Sequence, residues 1–323
     1  MKTAIETEAK AGRKKTVLDM LPSEMIGVIS KLLDIKGKSI VLESPKKSAL
    51  VMLPSETIGA ICAYLNIEDR NRLLGLSKTL RIERMKYRYL NLTKVASLKF
   101  YKDKEFRDTI NDLVVYPHKQ ISLDLCNTYI DDASVLGNVH SLNLRHSSVK
   151  NVNALGNVHT LDLSNTFVKD VSALGKVHTL DLSYNSVDDV SALGNVHTLN
   201  LRHTCVRVVK DLGKVHTLDL RYNVIDDVSA LGNVHTLDLR DTNVRVVEKL
   251  GKVHTLLLGS CVYIDVSALG NVHTLNLQGC RHINVSALGK VHTLDLSNAF
   301  KPIGISALKD VHNLNLDGCI YID

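Results

Sequence analysis

Ten histidines recur at intervals of nineteen residues, with one interval of twenty, and side chains of this type bind metals and take up protons. They are His140, His159, His178, His197, His216, His235, His254, His273, His292 and His312. If they lie on adjacent strands, neighbouring rings are about 4.8 Å apart, which is close enough for adventitious zinc or nickel. The alternative is one duplicated surface histidine without a metal, because the Gly-Asn-Val or Gly-Lys-Val residues around it are equally repetitive.

Protonation near pH 6 would place like charges in this histidine column, so we expect folding to depress the histidine pKa values. The sequence offers little other chemistry. It contains no nucleophile motif, phosphate-binding loop or zinc signature. We therefore expect a binding protein, not an enzyme, with no cofactor and no physiological metal.

Two variable positions follow the first leucine of each repeat, which serves here as the anchor. The residues three and four places after the anchor change from repeat to repeat, whereas the apolar positions hardly change. Arginine and tyrosine are favoured in protein interfaces, which predicts a substrate-binding patch on a concave face formed by Tyr184, Arg202, His203, Arg221, Tyr222, Arg240 and Asp241. The alternative is a solvated face, in which the arginines pair with the acidic residues one place after the anchor, namely Asp181, Asp219 and Asp238.

The anchors define the elements that must position these side chains. They are Leu123, Leu142, Leu161, Leu180, Leu199, Leu218, Leu237, Leu256, Leu275, Leu294 and Leu314. In one unit Leu161 and Leu163 alternate with polar residues, which predicts a short strand of about five residues with one buried face. Leu155, Val158, Val168 and Val171 complete the inward set, and stacked units share one core. A nineteen-residue unit has no room for a crossover helix, so the convex side is predicted to be turns or short 3₁₀ segments. The glycine of Val190–Gly194 either supplies a backbone geometry that a Cβ opposes or marks a polar corner.

The small residue five places after the anchor is predicted to satisfy buried backbone groups or to fill space. Thr166, Asn185, Thr204, Asn223, Thr242, Cys261, Cys280 and Cys319 stand there. The pattern L-x-x-V-x-x-L-x-L-x-x-(N/T/C) at this period resembles the leucine-rich-repeat signature, which implies a solenoid of eleven parallel-strand units over residues 122–323. Where Cys261, Cys280 and Cys319 occur, the next apolar residue shifts by one place, and this C-x-x-I variant resembles the cysteine-containing repeats of many F-box proteins.

Residues 52–94 break the repeat and predict three helices. The segment LPSETIGAICAYLNIEDRNRLLGLSKTLR resembles an F-box, with a Leu-Pro opening, an apolar stripe, an acidic turn and a Ser-Lys-x-Leu-Arg close. Its leucine at position 80 replaces the tryptophan that many F-boxes carry. The resemblance implies docking on the Skp adaptor of cullin-RING ubiquitin ligases, while the repeats hold a protein substrate. The adaptor surface would comprise Leu53, Pro54, Ile58, Ile61, Leu65, Leu73 and Leu76.

The remaining segments predict a flexible basic tail at residues 1–19, a partial duplicate of the F-box start with a linker at 20–51, and a solenoid cap at 95–121. Met20-Leu21-Pro22-Ser23-Glu24-Met25-Ile26-Gly27-Val28-Ile29 echoes Met52-Leu53-Pro54-Ser55-Glu56-Thr57-Ile58-Gly59-Ala60-Ile61. In the cap, Ser97-Leu98-Lys99-Phe100 predicts a divergent strand, and Asp103 to Leu113 a helix. The C-terminal layer of Leu314, Leu316, Ile320 and Ile322 predicts either fraying or end-to-end self-association.

The rival interpretation is a repeat scaffold or inhibitor, similar to phosphatase-regulating repeat proteins, whose N-terminal helices serve only as a cap. The N-terminus is charged and no apolar run is long enough to cross a membrane, so neither a secretory signal nor a membrane span is expected. The net charge of +6 arises largely in the first hundred residues, so nucleic acid is not an expected partner. We expect a cytoplasmic or nuclear protein with reduced cysteines. Near-identical short repeats behind an F-box also resemble repeat families of large DNA viruses, for which the host cytoplasm is implied.

Overall fold

The structure, a computed structural model, describes residues 90–113 and 120–321, together with the backbone at 34–36 and 39–41. The chain divides into two compact units, residues 1–123 and residues 124–323. Within the described residues, no helix is long and apolar enough to cross a membrane.

The described part of the first unit contains short strands and two helices. Strands β1 (Asp34–Lys36) and β2 (Ser39–Val41) form an antiparallel pair. Strand β3 (Leu90–Asn91) precedes helices α1 (Lys94–Lys102) and α2 (Lys104–Leu113). Strand β4 (Ile121–Asp124) follows, and its first two residues pair in parallel with β3.

The predicted strand at Ser97–Phe100 is wrong, because these residues belong to α1. Thr93 caps this helix, since its hydroxyl accepts a hydrogen bond from the Ala96 N–H at 3.5 Å. Ala96, Ser97 and Phe100 are buried, which is the spacing of one helix face and not of a strand. The predicted second helix is confirmed, and Asp103 caps it by accepting the Phe106 N–H at 3.0 Å.

The second unit contains ten short strands that pair in chain order and in parallel, because each repeat adds one strand beside the last. The anchors are in register, so that Leu142 lies opposite Leu161 and Leu161 opposite Leu180. Each strand has three residues, fewer than the five expected. The strands, β5 to β14, are Ser141–Asn143, Thr160–Asp162, Thr179–Asp181, Thr198–Asn200, Thr217–Asp219, Thr236–Asp238, Thr255–Leu257, Thr274–Asn276, Thr293–Asp295 and Asn313–Asn315.

The core consists of parallel columns of aliphatic side chains. Each column contains the residues that occupy one inward-facing position in successive repeats. Leu161, Leu163 and Val168 are at most 1% exposed, and the equivalent residues of most other repeats are equally buried. Burying an aliphatic side chain contributes about 1.5–3 kcal/mol, and each column is covered only by its neighbours. Leu314 and Leu316, in the last strand, are more exposed than their equivalents. Self-association at this edge remains a prediction.

A ladder of small polar side chains satisfies backbone groups inside the loop that follows each strand. The Asn185 amide donates to the carbonyl oxygens of Leu163 and Leu182 at 2.8 and 3.0 Å. Its Oδ1 accepts the Thr166 N–H and hydroxyl, each at 3.0 Å. Asn223 repeats this pattern two units later, and the Cys280 thiol donates to the Leu258 carbonyl oxygen at 3.3 Å. The predicted role of this position is therefore confirmed.

Short 3₁₀ helices form the side opposite the sheet, as the repeat length predicted. They are Ser134–Leu136, Asn153–Leu155, Ser172–Leu174, Ser191–Leu193, Ser229–Leu231, Glu248–Leu250, Ser267–Leu269 and Ile305–Leu308. A glycine follows every one of these helices except the last, which Lys309 follows, and that glycine is needed for space and not for its backbone angle. Gly194 has an ordinary φ of −61°, but a Cβ there would lie 2.3 Å from the carbonyl oxygen of Asp211 in the next unit.

Replacing Gly194 by alanine is expected to destabilise the solenoid, because the next unit must move to relieve this overlap. The expected loss is about 1–3 kcal/mol, typical of overpacking. Asn195→Ala is the matched control, since Asn195 is the exposed neighbour on the same turn. Urea unfolding measures both variants, and equal midpoints for Gly194→Ala and Asn195→Ala would contradict the close-packing explanation.

Candidate functional site

The outer face of the sheet in the second unit carries parallel columns of polar side chains. Because Leu161 and Leu163 point inward, Thr160, Asp162 and Ser164 flank them on the opposite face. The equivalent residues of successive repeats form the threonine column, the acidic column and the variable column. In three consecutive repeats the variable column holds arginine, at Arg202, Arg221 and Arg240.

The next position turns the chain out of the strand in a left-handed backbone conformation. Tyr184, His203 and Tyr222 have φ values of 59°, 57° and 58°. Their rings stack in sequence, with centroid distances of 5.3 Å and 5.4 Å. Left-handed geometry is unfavourable for a bulky side chain such as tyrosine, and contact between the rings offsets part of that cost.

Arg221 and Arg240 are engaged with the acidic column. Arg221 donates from Nε to both carboxylate oxygens of Asp219 at 3.0 Å and lies 3.3 Å from Asp238. Arg240 donates from Nη2 to Asp238 at 2.7 Å. The hydrogen bonds to Asp219 raise the pKa of the Arg221 guanidinium above its ordinary value. Two arginines and two aspartates thus form one neutral network.

Arg202 differs from these two arginines because asparagine, Asn200, occupies its acidic position. Its guanidinium carbon lies 5.5 Å from the Tyr184 ring centroid and 5.0 Å from that of Tyr222. Its Nε is buried without a hydrogen-bond partner. Within the described residues, aromatic rings and not carboxylates hold this cation.

The structure brings the sequence-predicted patch together on adjacent rungs of the sheet. The rings of Tyr184, His203 and Tyr222 stack in sequence, and Arg202 lies over both tyrosine rings. Arg221 precedes Tyr222 in the chain and contacts Asp238. Arg240 joins them through Asp238, and exposed Asp241 follows on the same rung. The alternative prediction, in which arginines pair with the acidic residues, describes Arg221 and Arg240. It does not describe Asp181, which accepts hydrogen bonds from Ser183 and Asn200. Binding at the patch remains a prediction.

The predicted histidine ladder is confirmed. Neighbouring ring centroids from His140 to His312 are 4.5–4.8 Å apart, and the rings between His159 and His292 lie within about 11° of parallel. In eight repeats Nδ1 is hydrogen-bonded to the hydroxyl of the following threonine at 3.2–3.3 Å. A nitrogen lone pair lies in its ring plane, so lone pairs on parallel rings do not converge on one metal. In the described ranges no cluster of three potential ligands is present.

A second aromatic row, which the sequence interpretation missed, lies in the loops of the C-x-x-I repeats. Tyr263 stacks on His282 at 5.2 Å, and Phe300 contacts His282 and Tyr321 edge-on at 5.5 and 5.4 Å. The sequence signal for this row was the apolar residue that is shifted by one place in these repeats. The shift leaves one more residue between the cysteine and the buried isoleucine, and its side chain can point outward.

The predicted adaptor residues, Leu53, Pro54, Ile58, Ile61, Leu65, Leu73 and Leu76, lie outside the described residues. The F-box resemblance therefore rests on their sequence pattern alone.

Solved structures share this parallel-strand repeat. An internalin (inlF) from Listeria monocytogenes superposes with a TM-score of 0.59 at 17% identity, over 93% of this chain and 97% of its own. The fold is a leucine-rich-repeat solenoid. TLR13, in its complex with ssRNA13, has a TM-score of 0.50 at 18% identity, over 79% of this chain and 42% of its own. No protein-family model and no curated protein sequence matches the chain. At these identities the likeness concerns the fold alone.

Proposed function

We propose that the repeats of this protein bind a protein partner on the outer sheet face, at the patch centred on Arg202 and Tyr222. The observation that carries the proposal is a contiguous cluster of tyrosine and arginine on an otherwise repetitive rigid sheet. Arginine and tyrosine are enriched among the residues that dominate binding energy. Here they lie in turns directly after the strands, where ring stacking leaves them little conformational freedom to lose.

The finer proposal is that the protein is an F-box substrate receptor. The Leu53-Pro54 opening and the apolar stripe after it support docking on a Skp adaptor. The partner held by the repeats would then be the substrate of the ubiquitin ligase. In this function the chain supplies proximity, because it raises the effective concentration of a substrate lysine near the ubiquitin donor. It performs no bond chemistry of its own.

A cytoplasmic or nuclear location fits this proposal. No disulfide joins Cys261 and Cys280, which are both buried in neighbouring repeats. Reduced cysteines are the norm where glutathione and thioredoxin act.

Adaptor binding is the experiment that tests the receptor proposal. Ile58→Asp with Ile61→Asp is expected to abolish binding to a purified Skp adaptor, because charges would enter the apolar stripe. Ile26→Asp with Ile29→Asp is the matched control, since these residues hold the same places in the partial duplicate. Circular dichroism must show both variants folded.

Two outcomes contradict the receptor proposal: a wild-type chain that does not bind the adaptor, or a folded Ile58, Ile61 variant that binds it normally. Either outcome favours the scaffold or inhibitor function, in which the helices act only as a cap. Neither bears on whether the patch binds a protein.

A further inference from the structure

The charge balance within the patch singles out Arg202. Asp219 and Asp238 neutralise Arg221 and Arg240, whose Nη2 and Nε atoms lie 2.5–3.3 Å from the carboxylate oxygens. The position equivalent to Asp219 in the Arg202 repeat is Asn200, whose amide donates to Asp181 at 2.8 Å. Arg202 itself forms no ion pair and no side-chain hydrogen bond among the described residues. Its positive charge is therefore uncompensated.

The two tyrosines hold the Arg202 side chain in place without using its terminal N–H groups. Its guanidinium lies 5.5 and 5.0 Å from their ring centroids, and Nε is buried. Cation–π contacts of this kind orient a guanidinium and leave its donors free for a second partner. Because the side chain is already ordered, little rotamer entropy is lost when a ligand binds.

We infer that Arg202 is the specificity-determining residue of the patch and binds an acidic side chain of the protein partner. This inference rests on the proposed function of the patch. A planar guanidinium matches a carboxylate bidentately, and such charge-assisted hydrogen bonds are among the strongest in proteins. Tyr184 and Tyr222 border the position and supply apolar surface for the methylene groups of an aspartate or glutamate.

The same charge balance disfavours a nucleic acid. Polyanions bind surfaces that present many unpaired cations. Here a single unpaired arginine is accompanied by Asp219, Asp238 and exposed Asp241. A phosphate backbone laid over the patch would meet one unpaired cation, two ion-paired arginines and the exposed Asp241, whereas one acidic side chain needs only Arg202.

The experiment is a selection of displayed random peptides on the full chain, with counter-selection on the Arg202→Gln variant. We expect the enriched peptides to share one aspartate or glutamate. The best peptide is then synthesised in three forms, with its acidic residue, with the corresponding amide, and with phosphoserine at that position. The phosphoserine form distinguishes a phosphorylated partner from a carboxylate.

A double-mutant cycle decides the contact. Arg202→Gln and the amide peptide are each expected to weaken binding at least tenfold, and together no more than either alone. Arg145→Gln is the matched control, because Arg145 holds the same place in its repeat, two residues after the strand-ending asparagine, Asn143, but the repeats on either side place no tyrosine at the equivalent of Tyr184 or Tyr222. It should change affinity less than twofold.

The outcomes separate the two proposals. A peptide is taken to bind the patch if the Tyr222→Ala substitution weakens its binding. If such peptides share no acidic residue, the Arg202 inference is overturned and the proposed binding function stays intact. The same holds for additive losses in the cycle. A library that yields no peptide sensitive to Tyr222→Ala overturns the proposed function of the patch and the inference with it.

Discussion

Replacing Asn185 by alanine is expected to lower the free energy of unfolding by about 3 kcal/mol, a larger loss than an ordinary polar substitution gives. The side chain is 5% exposed and connects two repeats. Its removal leaves the Leu163 and Leu182 carbonyl oxygens and the Thr166 N–H without this partner. Each buried group left unsatisfied costs about 1–3 kcal/mol.

Asn157→Ala is the control for this prediction, because Asn157 is an exposed asparagine of the preceding repeat, on the turn after the 3₁₀ helix Asn153–Leu155. It is expected to change stability by less than about 0.5 kcal/mol. Asn185→Cys should lie between the two, since the Cys280 thiol donates to the equivalent carbonyl oxygen of its preceding repeat. Chemical unfolding followed by circular dichroism ranks the three variants. A loss for Asn185→Ala no greater than that for Asn157→Ala would show that the ladder does not connect the repeats energetically.

The fold of the repeats could be predicted closely because the same apolar positions are buried in one repeat after another. Leu161, Leu163 and Val168 fix which face is buried, and the period leaves room only for a tight return. Ser97-Leu98-Lys99-Phe100 lacked such repetition. Its alternation suits a strand, but Thr93 begins a helix there, and the burial of Ala96 with Phe100 satisfies the helix period instead. The decisive signal was a cap that lies outside the misread segment.

The site was predictable in composition but not in its contacts. The variable column identified Arg202, Arg221 and Arg240 together, and only the geometry separates the paired arginines from the unpaired one. Asn200 in the acidic column was a visible signal for that difference. The stacking of Tyr184 on His203 was not visible, since it depends on left-handed backbone angles that tyrosine seldom adopts.

Lowering the pH from 7.5 to 5.5 is expected to lower the melting temperature of the repeats by several degrees. The pKa values of five column histidines are lowered, namely those of His140, His159, His178, His216 and His254. Desolvation of the ring is the largest cause in each, and neighbouring histidines add to it in all but His140. The unfolded chain, with pKa values near 6.5, therefore takes up protons before the folded chain does. The stabilising contribution is complete above pH 6.5 and is lost as the pH falls through the depressed folded values.

Thermal melts at low salt test this expectation, because salt screens the repulsion between neighbouring rings. The carboxylates of Asp170, Asp189 and Asp227 do not interfere. Hydrogen bonds from serine N–H groups hold their pKa values below the ordinary 3.8, so they stay ionised at both pH values. A triple variant replaces every second central histidine by glutamine: His178→Gln, His216→Gln and His254→Gln. No two of the remaining central histidines are then on adjacent repeats, so its melting temperature should depend less on pH than that of the wild type. A wild type and triple variant with the same pH dependence would assign the acid sensitivity to groups outside the column.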